Sequence, residues 1–261
     1  VNGVQKCALR SKNILSDTIL DLDITPNRSD CLSILGIARE ISAITGEKLK
    51  IKTNGVESLI PKTNNKSFTL NIENKNICSR YMGALIKGVT VKDSPEWLKE
   101  KLLKIGEKPV NNIVDITNFV MFELGQPLHA FDFQFIDGPN INVRKSKKDE
   151  KILTIDNESR KLEDVVVISD SKKPIAVAGV MGGKNSEITE DTKTIFLESA
   201  CFDSIYNRQS AKNLGMKTEA TLRFEKGLNP QLCEFAIKRS IDLILEIAGG
   251  NLEESIQDLW I

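Results

Sequence analysis

Hydrophobic and polar positions alternate in some segments of the chain and recur at helical spacing in others. Residues 18–24 (TILDLDI) alternate, which is typical of a half-buried strand. Isoleucine and alanine then recur every three to four residues over 34–44, and Gly46 suits the end of such a helix. Ser29 and Asp30 are candidate caps for its first turn. The pattern predicts a strand, a turn and a helix in the first part of the chain.

The sequence predicts four segments. Residues 1–50 are expected to belong to a small α+β module, and 51–66, rich in Lys, Asn and turn residues, predict a linker. Residues 67–250 form the main domain, including its final helix, and 251–261 begin a connection to a next module. The longer strands of the main domain are predicted at 67–73 and 80–91.

The main domain mixes short strands with helices. Five short apolar runs, separated by turn residues, predict further strands at 141–143, 151–155, 165–169, 175–180 and 194–197. Helices are predicted at 95–106, 112–124, 203–214 and 230–248. Because strands and helices are partly segregated, the fold class is α+β. We expect a mixed or antiparallel sheet, barrel-like or layered, with flanking helices.

Composition narrows the function classes. The 261 residues hold 36 basic and 36 acidic side chains, so nucleic-acid binding would depend on local patches rather than on net charge. Five scattered cysteines without a CxxC pair favour reduced thiols over a disulfide frame or zinc site. With His129 as the single histidine, a His-rich metal site is excluded. No apolar run reaches membrane-spanning length, and the chain starts at Val1 without a leader, so we expect a cytoplasmic fragment with no membrane partner.

Three segments are candidates for chemistry, and each has an ordinary structural interpretation beside the functional one. His129 follows a predicted helix end in GQPLHAFD, where it could move protons, with Asp132 orienting the ring, or make a structural hydrogen bond. The glycines of 179–183 permit close approach of a ligand or a tight turn, and they match neither a Walker loop nor a dinucleotide fingerprint. Glu198 follows an apolar run, where it could accept a hydroxyl, hold a water or face solvent.

The segment 217–227 is dense in charge. Such a run is usually a solvated surface, but together with the preceding helix it could form a basic patch for phosphates. Composition leaves both interpretations open. The residues of that patch would be Arg208, Lys212, Lys217, Arg223 and Lys226.

Five longer segments follow one another along the chain. They are DITPNRSDCLS with GIARE at 23–40, VDITNFVMFELGQPLHAFD at 114–132, AVAGVMGG at 176–183, FLESACFD at 196–203 and KTEATLRFEKGLNP at 217–230. In this order they resemble signatures of the β chain of bacterial phenylalanyl-tRNA synthetases, and the resemblance extends from about residue 20 to about residue 250.

The resemblance implies a fragment of that β chain which carries the editing module. In the family this module hydrolyses tyrosine wrongly attached to tRNA(Phe), while the α chain attaches phenylalanine with ATP and magnesium in an α2β2 assembly. The expected partners are therefore tRNA(Phe) and the α chain, and the fragment itself is expected to need neither cofactor nor metal. Residues 1–50 would be the second half of a small module.

The resemblance also assigns roles to residues. Glu198 would bind the tyrosine hydroxyl, and His129 would lie at the terminal adenosine and help to place the attacking water. Substrate contacts would come from Lys108, Asn118, Gly182, Thr218 and Ala220. Lys108 stands where the family commonly has Arg, whose planar fork Lys does not reproduce. The alternative is a non-catalytic scaffold or tRNA-binding module of the same synthetase, which an intact Glu198, His129 and Ala220 disfavour.

Overall fold

Two sheets packed face to face through a layer of aromatic rings organise the molecule. The computed structural model describes residues 10–14, 17–50, 67–253 and 255–261. The predicted linker at 51–66 lies outside these ranges. In the first part of the chain, β1 (Arg10–Ile14) and β2 (Asp17–Asp21) form an antiparallel hairpin.

The helix predicted from the isoleucine spacing is α1 (Ile34–Thr45). Gly46 ends it in a left-handed conformation, as predicted, but the predicted caps Ser29 and Asp30 are wrong. Residues 29–31 instead form a short 3-10 turn. The N-cap of the helix is Ser33, three residues after Asp30, and its hydroxyl accepts from Gly36 N–H at 3.0 Å.

The first sheet is antiparallel and contains the longest strands. Its order is β5 (Leu128–Asp132), β12 (Thr194–Phe202) and β4 (Cys78–Lys87), and the far side of β4 pairs with β13 (Asn251–Leu252) and β14 (Gln257–Trp260). Residues 251–261, which we expected to start a connection to a next module, thus supply two strands of this sheet.

The second sheet is mixed. In spatial order it contains β11 (Met181–Gly182), β10 (Pro174–Val177), β9 (Val166–Ser169), β6 (Asn140–Lys145) and β3 (Thr69–Ile72). Only the β3–β6 pair of this sheet is parallel. The predicted α+β class, with a mixed or antiparallel sheet arrangement and flanking helices, is confirmed.

Helices and a hairpin cover the outer faces of the two sheets. Against the first sheet pack α2 (Glu96–Lys104), α3 (Asn112–Leu124) and α6 (Leu232–Ile247). Against the second pack α4 (Ser204–Leu214) and the hairpin of β7 (Lys151–Leu153) and β8 (Ser159–Lys161). One short helix, α5 (Glu219–Phe224), was not predicted. No helix in the described ranges is both long and apolar enough to cross a membrane.

Strand β12 divides its side chains between two cores. Ile195, Leu197 and Cys201 face the helices, whereas Phe196 and Phe202 face the second sheet. Each large apolar side chain buried in this way contributes about 1.5–3 kcal/mol. Because side chains alternate along a strand, the same register turns Glu198 inward between the sheets.

Buried Gln126 ties the segment before His129 to β12. Its side-chain amide donates to the carbonyl of Ala200 at 2.7 Å and to that of Pro127 at 3.0 Å. Helix α3 ends immediately before it at Gly125, whose φ of 88° places it in the left-handed region. The end of α3 and the two hydrogen bonds of Gln126 together position the start of β5, which carries His129.

Arg80 fastens the last strand to β4. Its guanidinium donates to Asp258 through Nε at 3.0 Å and Nη2 at 2.7 Å, and it lies 4.1 Å from the centre of the Trp260 ring. Nη1 donates to the carbonyl of Pro230 before α6 at 3.1 Å. Arg80 is 2% exposed. Its guanidinium is therefore buried and is held by Asp258, Trp260 and the carbonyl of Pro230.

We expect Arg80→Ala to lower the free energy of unfolding by about 1.5–3 kcal/mol, since it removes charge-assisted hydrogen bonds from a buried position. Lys87→Ala is the matched control, because Lys87 lies on the same strand but pairs with Glu253 in solvent. Its loss should stay below about 1 kcal/mol. Urea unfolding of both variants measures the difference, and equal losses would contradict the role of Arg80.

Candidate active site

A pocket of about 360 Å³ opens beside the inter-sheet core, between β5, β11, β12 and the helices α3 and α5. This volume lies within the range of small-molecule sites. Six of the seven residues predicted from the sequence line it together: Asn118, His129, Gly182, Glu198, Thr218 and Ala220. Lys108 is exposed on the loop after α2 and does not line it.

Glu198 lies at the buried side of the pocket. It is 5% exposed, and its Oε2 accepts a hydrogen bond of 2.5 Å from the Tyr81 hydroxyl. Burial raises the pKa of Glu198 to about 8, although the bond from Tyr81 acts in the opposite direction. The expectation that Glu198 follows a strand is wrong, because pairing with β4 continues through Phe202 and places it mid-strand.

His129 lies directly opposite Glu198 in the β5–β12 ladder. The edge of its ring meets Phe131, with ring centres 4.5 Å apart. Burial lowers the pKa of His129 to about 4, so the imidazole is neutral at physiological pH. Asp132, suggested as its orienting partner, instead accepts from Thr192 Oγ1 at 2.6 Å and from the Gln134 N–H at 3.0 Å.

The glycine segment 179–183 contains a tight turn and also a close approach of the backbone to a pocket side chain. Gly179 has a φ of 66° in the turn between β10 and β11. Gly182 lies against the histidine: a Cβ there would be 2.7 Å from both Cε1 and Nε2 of His129. Any larger residue would therefore displace the imidazole, so the backbone of Gly182 forms part of the wall that positions His129.

Helix α5 forms another wall. Thr218 caps it, accepting from Thr221 N–H at 3.2 Å and donating to the carbonyl of Val180 at 3.4 Å. The cap thereby connects α5 to the glycine turn. Ala220 follows in the first turn and packs against the core between the sheets. Asn118 approaches from α3 and is half-buried.

Two carboxylates that the sequence analysis missed, Glu107 and Glu219, also line the pocket. Partial burial raises the pKa of Glu107, with a further contribution from the charge of Glu219. Arg223 opposes this effect and donates to Glu219 at 2.8 Å while lying over the Phe122 ring. The pocket is therefore acidic, and none of its lining residues is a lysine or arginine.

The suggested basic patch is smaller than the sequence implied. Arg223 is 4% exposed and ion-paired, so it cannot present its charge to a phosphate. Lys226 is part-buried and donates to the carbonyl of Ile24. The exposed members are Arg208, Lys212 and Lys217.

One group of possible metal ligands occurs in the described ranges, away from the pocket. It consists of Asp30, Cys31 and Glu40 in the first module. Arg28 already bridges the two carboxylates, with a distance of 2.7 Å to each. Its guanidinium thus takes the place that a cation would need.

Known proteins share both the sequence and the fold. The profile of the B3/4 domain matches residues 77–249. The phenylalanine–tRNA ligase beta subunit of Carboxydothermus hydrogenoformans is 45% identical over 248 residues, covering 94% of this chain and 31% of the relative. That of Protochlamydia amoebophila is 48% identical over 251 residues, with the same coverage of both chains.

A solved structure, an N-terminal fragment of the phenylalanyl-tRNA synthetase beta-subunit from Pyrococcus horikoshii, shares the fold at a TM-score of 0.50 and 17% identity. The alignment covers 97% of this chain and 70% of that one. The present chain spans about a third of the length of the curated relatives it matches. The family resemblance found from the five motifs is thus confirmed: the chain belongs to the B3/4 domain family and is homologous to the beta subunit of phenylalanine–tRNA ligase.

Proposed function

We propose that the pocket is an editing site, which hydrolyses tyrosine wrongly attached to tRNA(Phe). The observation that carries the proposal is the convergence of five predicted residues, drawn from three motifs, around the buried carboxyl group of a sixth, Glu198. The complete protein would be the β subunit of a ligase that attaches phenylalanine to tRNA(Phe) with ATP and magnesium. Its further partner would be the α chain, in an α2β2 assembly in the cytoplasm.

An editing site separate from the site that attaches phenylalanine is useful, because tyrosine differs from phenylalanine only by one added hydroxyl. An apolar pocket rejects an isostere that merely adds a hydroxyl by only about 10²-fold. A site that binds this hydroxyl instead selects the wrong amino acid for destruction. Such a site needs a polar group in an otherwise apolar cavity, and Glu198 supplies it.

Glu198 has one oxygen available for the substrate. Oε2 accepts from Tyr81, while Oε1 has no hydrogen-bond partner among the described residues and belongs to a pocket-lining side chain. The phenol of a bound tyrosine would donate to Oε1. A phenylalanine ring would leave this oxygen desolvated and unmatched, which costs free energy.

His129 contributes as a neutral hydrogen-bonding group. Burial lowers its pKa to about 4, which favours the neutral imidazole near neutral pH. One ring nitrogen then donates and the other accepts, so the ring can orient a water or a ribose hydroxyl. In the hydrolysis, water attacks the carbonyl carbon and the ester bond to the ribose breaks. The ribose oxygen leaves with a proton, and free tyrosine is released.

Two exposed lysines lie next to the pocket wall. Lys108 follows Glu107, and Lys217 precedes Thr218. Phosphates of the tRNA end would be attracted to these charges, whereas Glu107 and Glu219 on the pocket wall would repel them. The arrangement would admit the aminoacyl group while holding the nucleic acid at the rim.

Above about pH 8, where Glu198 is ionised, Glu198→Ala should slow tyrosine release from tRNA(Phe) by about 10- to 150-fold, because it removes a charge-assisted hydrogen bond of about 1.5–3 kcal/mol. Phenylalanine never makes this bond, so its slow release should not fall. Both rates are measured with the complete protein that carries this chain. Aminoacylation should be unaffected.

Glu225→Ala is the matched control for this substitution. Glu225 ends α5 and is half-buried, but it does not line the pocket. It should change neither rate. If Glu198→Ala lowers both rates equally with an unchanged melting temperature, Glu198 serves the water or the ester instead. If neither rate changes, the non-catalytic scaffold alternative is favoured.

Gly182→Ala should reduce tyrosine release at least tenfold, because the new methyl group would overlap the His129 ring. In a His129→Ala background the ring is absent, so adding Gly182→Ala should cause no further loss. Comparing the two single variants with the double variant measures this coupling. Losses that multiply in the double variant would mean that Gly182 acts independently of the histidine.

Tyrosine release should rise as the pH increases through about 8, where Glu198 loses its proton and becomes the better acceptor. Phenylalanine release should show no such step, and His129 should add none above about pH 5 because its pKa is already about 4. The ratio of the two rates cancels the alkaline lability of the ester. A ratio that falls above pH 8 would show that the protonated carboxyl is the active form.

A further inference from the structure

Tyr81 is buried between the sheets, and the mechanism above gives its hydroxyl no role of its own. The side chain is 1% exposed, and its ring meets the edge of Phe202 at 6.4 Å between centres. A phenylalanine would fill nearly the same volume in this core. The hydroxyl is nevertheless present, and it donates to Oε2 of Glu198.

The strand register explains why this contact comes from Tyr81. Gly83 lies directly opposite Glu198, and Tyr81 lies opposite Ala200. No side chain fits at Gly83, since a Cβ there would be 2.6 Å from Phe196 and 3.1 Å from Phe68. The carboxyl group can therefore be reached from β4 only along the diagonal, which is within the reach of an aromatic side chain.

We propose that Tyr81 is the positioning residue of the pocket: by donating to Oε2, it holds the Glu198 carboxyl with Oε1 directed at the hydroxyl of the substrate. This inference rests on the proposed editing function and adds a specificity residue to it. Tyr81 touches Glu198 rather than the substrate, so its influence passes through that carboxyl group.

The surroundings of Glu198 make this donor important. The titratable groups that face it are Tyr81 and Cys78 from β4 and His129 from β5, with Glu107 and Glu219 farther out on the pocket wall. None of these is a cation at neutral pH. The ionised form of Glu198 is therefore stabilised by hydrogen bonds rather than by a neighbouring positive charge. The bond from Tyr81 lowers the pKa of Glu198 against the opposing effect of burial.

The first test is Tyr81→Phe in the complete protein that carries this chain. The preference for releasing tyrosine over phenylalanine should fall about tenfold, as expected for one hydrogen bond to a charged group. The pH at which tyrosine release rises should move upward, because the carboxyl keeps its proton longer. The matched control is Tyr206→Phe, the only other tyrosine of the chain, which lies on α4 and should change neither quantity.

A second variant carries 3-fluorotyrosine at position 81, which keeps the ring and the hydroxyl group in place. Its more acidic hydroxyl is a stronger donor, so the rise in tyrosine release should move to lower pH, opposite to the shift in Tyr81→Phe. This variant decides the question if Tyr81→Phe does not fold.

The outcomes separate the two proposals. If the unmodified protein releases tyrosine but the pH dependence stays the same in the 3-fluorotyrosine variant, Tyr81 is only a core residue and the inference is wrong. If the unmodified protein releases no tyrosine at all, the proposed function fails, and the inference fails with it.

Discussion

The register of β12 between β4 and β5 is the constraint on which the site depends. It turns Glu198 inward, places His129 opposite it on one side and leaves Gly83 opposite it on the other. A shift by one residue would put Leu197 or Ser199 in place of Glu198 and turn the carboxyl toward the helices. The aromatic core supports this register, because Phe196 and Phe202 pack on the side of the second sheet.

The pocket combines two ionisable groups that burial holds in their neutral forms. Burial raises the pKa of Glu198 and lowers that of His129, so an acid and a base on neighbouring strands both tend to be uncharged near neutral pH. Neutral side chains at the buried end of the pocket cost less free energy than a buried ion would when no substrate is bound. The charges of the site lie instead toward its opening, where Glu219 is held by Arg223.

The sequence predicted the five longer helices and strands such as β4 and β12, because apolar spacing and glycine stops are local signals. It did not predict α5 or β5, the strand that carries His129. These local signals predicted the observed bounds of α3, and they also predicted that α1 ends at Gly46. Six site residues were found through motif resemblance, although 102 positions separate Asn118 from Ala220, and only the fold brings them together.

The side-chain contacts that the sequence did not predict join segments that are distant along the chain. Tyr81 and Glu198 are 117 residues apart, and nothing in either local pattern connects them. The burial of Arg223 was missed for the same reason, since a charge-dense segment resembles a solvated surface until Phe122 packs against it. Asp132 was expected to orient His129 because the two are close in sequence. Its actual partner, Thr192, is 60 residues away along the chain.

The pairing of β14 with β4 has a consequence for how this unit can be isolated. A fragment ending near residue 249, where the family match stops, would lack Asp258 and Trp260 and leave Arg80 without these two partners. It would also uncover one edge of β4, whose unpaired backbone groups can recruit a strand from another molecule. Aggregation of such a shortened fragment would then reflect the missing strand rather than an intrinsically unstable domain.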